Sequence, residues 1–108
     1  MPMQHRYLPV APSIEEVKSL EGLTVIEFGT PWCGYCIAVQ PQLEAALAGR
    51  DEVRHLKVED GRGHRLGRAF RVKLWPTLIF LDGGEEVARL VRPTRREAIE
   101  EILERIAA

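Results

Sequence analysis

A chain of 108 residues, 45% of them hydrophobic, fits one domain that buries roughly two-thirds of the surface its unfolded form exposes, so it needs no covalent staple. Fifteen basic and sixteen acidic residues leave a formal charge of -1, and the charges read as scattered, which speaks against a nucleic-acid binder. No segment approaches the ~18 apolar residues of a membrane span, and the start, MPMQHRYLPVAPS, lacks the apolar run of a leader. With only two cysteines, the expectation is a soluble, non-exported chain in the reducing cytoplasm; a removed leader would reopen the periplasm.

In chain order, residues 7–10 predict at most a short edge strand. Ser13 and Glu16 have capping-box spacing, and Val17 and Leu20 give an apolar face, predicting a short helix stopped by Gly22. Residues 23–28, LTVIEF, read as a strand covered on both faces, which makes Glu27 conspicuous. Residues 33–48 predict a helix that ends at Gly49 and kinks at Pro41. Residues 53–58 predict a second strand, parallel to the first through a right-handed crossover. HRLGRAF predicts a short helix weakened by Gly67, and residues 77–81 and 87–91 an antiparallel hairpin around an Asp-Gly turn. A last helix opens on a Thr94–Glu97 capping box and buries Ile99, Ile102, Leu103 and Ile106. The order β-α-β-α-β-α-β-β-α, its first strand weak, predicts an α/β fold: a central mixed sheet with helices on both faces.

The two cysteines stand in TPWCGYC, residues 30–36. A structural zinc site wants four Cys or His ligands, and the sequence supplies half of one; His5, His55 and His64 read as isolated surface side chains. Closing a two-residue gap within one helical turn would constrain the unfolded chain little, which argues against a staple. Redox exchange explains the spacing: after one thiolate attacks a disulfide, a second thiol must be near enough to resolve the mixed disulfide. Cys33 in the first helical turn would meet unpaired N–H groups and the positive end of the helix dipole, which favour a thiolate, while Cys36 lies deeper.

VIEFGTPWCGYC, Pro41 and WPTLIFLDGGE together resemble the thioredoxin family over almost the whole chain. The resemblance implies the thioredoxin fold and a thiol–disulfide oxidoreductase that reduces protein disulfides, with Cys33 as nucleophile and Cys36 as resolving thiol. It implies that Glu27 stands for the family's buried acid, a proton acceptor for the second cysteine, with Lys57 near it; a buried carboxyl with a raised pKa would suit that role. Simple pairing of Glu27 with Lys57 is the alternative. Pro76 matches the family's cis-proline, beside which a client strand pairs, and Trp32, Gly34, Tyr35 and Trp75 would line the groove. No cofactor or metal is expected beyond the Cys33–Cys36 pair. The implied partners are disulfide-containing clients and a flavin-dependent, thioredoxin-reductase-like recycling enzyme, with no nucleic acid or membrane, and nothing demands more than a monomer. A typical member has Trp at Gly29, Pro at Tyr35, Lys at Ile37 and Gly near Arg92, departures that imply a narrower client set. A disulfide isomerase or oxidase, if exported, and a binding or chaperone module with little turnover are the competing readings.

Overall fold

The computed structural model describes residues 3–107. Helix α1 (Ile14–Lys18) precedes strand β1 (Leu23–Gly29); α2 (Gly34–Leu47), β2 (Val53–Glu59) and α3 (Arg65–Ala69) follow, then the hairpin β3 (Thr77–Asp82) and β4 (Glu85–Val91), then α4 (Arg96–Ala107). The sheet order is β2-β1-β3-β4, with β1 and β2 parallel and the other neighbours antiparallel.

The period-two alternation of a strand splits the core between the two faces of this sheet. Val25, Val53, Leu78 and Phe80 pack on one face against Leu43, Ala46 and Leu47 of α2 and Ile99, Ile102 and Leu103 of α4. Ile26, Phe28, Val58, Ile79 and Leu81 pack on the other face against Val17 of α1 and Leu66 of α3. Glu27 therefore shares the face of Val25 and looks towards α2.

Local signals account for most element ends. The Ser13–Glu16 box closes in both directions, at 3.1 and 2.9 Å. Gly67 fits inside α3 because the Asp60 carboxylate occupies the space that a Cβ would need.

Three expectations differ. Residues 7–10 form no strand: Leu8 donates one bond to the Lys57 carbonyl on the edge of β2, and the chain bends at Pro9 and Val10 before a ladder can extend. The final helix begins at Arg96, later than a Thr94 cap requires, and the Glu97 carboxylate lies 3.8 Å from Arg95 and 3.6 Å from Arg96. β4 begins two residues early, at Glu85, because the turn needs only Gly83 and Gly84, both at positive φ.

Candidate active site

Cys33 is the N-cap of α2, one position before the first turn. Its backbone is extended (φ -81°, ψ 121°), and its sulfur accepts a bond from the Cys36 N–H at 3.3 Å. The sulfur thus occupies the place that a capping oxygen usually takes, at the positive end of the helix. The Cys33 thiol also lies 3.8 Å from the Trp75 carbonyl.

The two thiols are unequal. Cys33 is 8% exposed and Cys36 1%. Burial, reinforced by the hydrogen bond with Cys33, pushes the Cys36 thiol up to about 12, so it is protonated at neutral pH.

Glu27 is fully buried, and its carboxylate is held by side chains that the sequence did not connect to it. The His55 Nδ1 accepts from the Gln4 backbone N–H at 2.9 Å, so Nδ1 carries no proton. Nε2 carries it and donates to Glu27 Oε1 at 2.9 Å. Gln40 Nε2 donates to Glu27 Oε2 at 2.6 Å and to the Cys36 carbonyl at 2.8 Å, and Gln40 Oε1 accepts from Lys57 Nζ at 2.9 Å. Lys57 is the register partner of Glu27 but stands 3.8 Å from the carboxylate. Simple Glu27–Lys57 pairing is therefore incomplete: Gln40 lies between them and ties the acid to the second cysteine's turn. His55 is no surface histidine but 2% exposed, two residues from Lys57 on the same face of β2; His5 is exposed, and His64 lies beside Trp75.

Gly29 has a steric reason. A Cβ there would come within 2.6 Å of Cys36 Sγ and 3.2 Å of the Tyr7 hydroxyl, so the lead reaches into space beside the second cysteine. Burial, with Glu27 and Cys36 nearby, raises the Tyr7 pKa above its ordinary value. Tyr7, Thr30, Gln40, Lys57 and Cys36 line a cavity of about 220 Å³, large enough for water.

On the outer side, the Trp75–Pro76 bond is cis. Trp32 is 73% exposed and meets Trp75 edge-on, with ring centroids 5.7 Å apart, while Trp75 Nε1 donates to the buried Asp60 at 2.8 Å. Gly34 and Tyr35 are exposed on the first turn of α2. Arg92 Nε donates to the Trp75 carbonyl at 2.8 Å, and its guanidinium lies 4.2 Å from the centre of the Tyr35 ring. Its φ of 52° is the left-handed backbone that a glycine would adopt freely. Among the described residues, no three His, Cys, Asp or Glu side chains group as a metal site, and no helix is long and apolar enough to cross a membrane.

The signals missed in the sequence were long-range. His55 could have been found by pairing residues 23–28 with 53–58 in register, which puts two polar residues beside Glu27. Tyr7 and Gln40 carried no local signal.

The thioredoxin family model matches residues 12–105. The reduced thioredoxin 2 of Pseudomonas aeruginosa PAO1 is 53% identical and superposes with a TM-score of 0.85 over 96% of each chain. The thioredoxin of Chlamydia trachomatis serovar D is 40% identical over 70 residues, 65% of this chain and 69% of that one. Thioredoxin H2-1 of Oryza sativa subsp. japonica is 37% identical over 81 residues, 74% of this chain but 58% of the rice protein. A Cys33 that caps its helix, a more deeply buried and protonated Cys36, a buried acid and a cis-proline thus sit on a matching sheet, and the chain belongs to the thioredoxin family.

Proposed function

We propose that this chain reduces protein disulfides by dithiol–disulfide exchange. The observation that carries the proposal is the inequality of the thiols: a Cys33 sulfur at a helix N-terminus, on a residue that keeps 8% exposure, and a more deeply buried Cys36 held as a thiol. The Cys33 thiolate attacks one sulfur of a client cystine; that S–S bond breaks, and the departing sulfur takes up a proton. Cys36 then gives up its proton and attacks Cys33 Sγ, releasing the second client thiol and leaving a Cys33–Cys36 disulfide. Two electrons and two protons pass to the client.

Glu27 is the proposed acceptor of the Cys36 proton, through water in the cavity that Cys36, Gln40 and Lys57 line, with Gln40 and His55 fixing its two oxygens. Trp32, Gly34, Tyr35, Trp75 and Pro76 form the proposed client groove. A flavin-dependent reductase would return the pair to dithiol, in the cytoplasm, with the chain acting as a monomer.

The test is insulin reduction by dithiothreitol. The parent should accelerate it, Cys33→Ser should abolish the effect, and Cys36→Ser should accumulate mixed disulfides. No rate above background for the parent would replace the reductase with a binding module. The reduction potential sets direction: about -270 mV supports a reductase, about -120 mV an oxidant.

A further inference from the structure

Charges that look scattered along the chain leave two stretches purely basic. Between Asp60 and Asp82 stand Arg62, Arg65, Arg68, Arg71 and Lys73 with no carboxylate, and Arg92, Arg95 and Arg96 follow before Glu97. These two stretches hold eight of the fifteen basic residues and none of the sixteen acidic ones. The first five are exposed and make no ion pair among the described residues.

Arg68, Arg71 and Lys73 of the first stretch and Arg92 of the second meet at Trp75–Pro76. A cleft of about 290 Å³ runs beside Trp75, lined by Arg68, Arg71, Lys73 and His64. Its one carboxylate, Asp60, is buried and occupied by the Trp75 N–H. Arg92 is tied to the Trp75 carbonyl that Cys33 also faces, and its terminal guanidinium nitrogens donate to none of the described residues.

The backbone adds an independent observation. Arg71 (φ 57°) and Arg92 (φ 52°) are the non-glycine residues at positive φ among those described. A side chain disfavours that conformation, and glycine would occupy it freely. The chain keeps a guanidinium at both positions, and both belong to the Trp75 surroundings.

We infer that this surface docks clients whose cystine is flanked by carboxylates. Arg92, held between the Tyr35 ring and the Trp75 carbonyl, pairs with an acidic residue next to the attacked sulfur, in the fork geometry that favours Arg over Lys. Arg68, Arg71 and Lys73 draw in acidic surface further along the cleft. The inference rests on the reductase reading for its chemistry but not for its binding.

The test uses the prereduced full chain and disulfide-cyclised peptides of one sequence with Glu, Ser or Lys beside each cysteine. At about 10 mM salt, where the screening length is about 30 Å, the Glu peptide should react roughly tenfold faster than the Lys peptide. In 0.5 M salt the two rates should converge. Arg92→Gly and Arg71→Gly suit the local backbone and should fold; each should cut the Glu-to-Lys ratio about threefold, while Arg105→Gln on α4 should leave it unchanged. Equal rates for the two peptides at low salt, or a ratio indifferent to both arginine variants, would overturn the inference. Fluorescence anisotropy with the same sequences carrying Ser for Cys reads docking without chemistry. Tighter binding of the Glu form supports the surface even if no peptide is reduced, whereas failure to reduce the Ser-flanked peptide sinks only the reductase reading. A single-stranded RNA oligomer binding more tightly than the Glu peptide would overturn the inference in favour of a nucleic-acid surface.

Discussion

Glu27 is locked by its neighbours, and that gives its proposed role a kinetic signature. With His55 on one oxygen and Gln40 on the other, the carboxylate cannot swing, so its contribution depends on the protonation state of Cys36. Because that thiol is pushed up to about 12, only a minute fraction ionises unaided at pH 7. In Glu27→Gln, resolution should slow by about a hundredfold at pH 7, the lower end of what a positioned base contributes. Its rate should then rise about tenfold per pH unit, since below the thiol's own pKa each unit multiplies the thiolate tenfold. The parent should show a flatter profile. Loading Cys33 with thionitrobenzoate and following its release by Cys36 measures this step directly; identical profiles would remove Glu27 from the mechanism. Gly29→Ala tests the same spot sterically: its Cβ meets Cys36 Sγ, so the variant should lose about 1–3 kcal/mol and resolve more slowly.

At the scale of elements, the hairpin between β3 and β4 shows how a turn can be fixed by a distant helix. Gly83 and Gly84 both have positive φ, but a Cβ at Gly83 meets nothing within 4 Å, whereas at Gly84 it would run into the Lys18 carbonyl at the end of α1. Gly83→Ala should cost about 1 kcal/mol for the left-handed backbone alone, and Gly84→Ala about 3 kcal/mol or more because backbone must also move. Urea midpoints separate the two, and equal losses would deny the contact with α1. The turn itself was legible from Asp-Gly between two β-rich runs, as were β1 and β2 from apolar patterning and the close approach of Cys33 and Cys36 from their spacing. What stayed hidden was whatever depends on register between distant segments. His55 reads as an ordinary polar residue until β2 is laid parallel to β1, and Tyr7, beyond two prolines in an irregular lead, has no periodicity to place it beside Gly29. Pro76 and Arg92 were noticed only through the family resemblance, and the structure adds that Arg92 has the left-handed backbone a glycine would adopt freely.

For the whole molecule, the reduced site ties stability to alkaline pH. Cys36 has a folded pKa raised from an ordinary value near 9 to about 12, and Tyr7, packed beside it, is also raised. A raised folded pKa means that the native state holds its proton where the unfolded chain has released it. The contribution is therefore fully present below about 9 and is lost as pH climbs from there through about 12. Burial is the first cause at both groups, and for both Glu27 and the neighbouring cysteine add negative charge that works in the same direction. Reduced parent protein should accordingly lose stability steadily from about pH 9 to about pH 11. Cys36→Ala should lose less over that interval, because one of the two groups is gone, and the Tyr7→Phe, Cys36→Ala pair less again. Tyr7→Phe alone should soften the upper part of the fall, since an ordinary phenol titrates above a thiol. Urea midpoints at several pH values, in excess phosphine reductant, give the slopes. A Cys36→Ala protein whose midpoint falls with pH as steeply as the parent's would mean that the second thiol titrates no differently in the fold than in the unfolded chain, and that its burial does not hold it protonated for the resolving step.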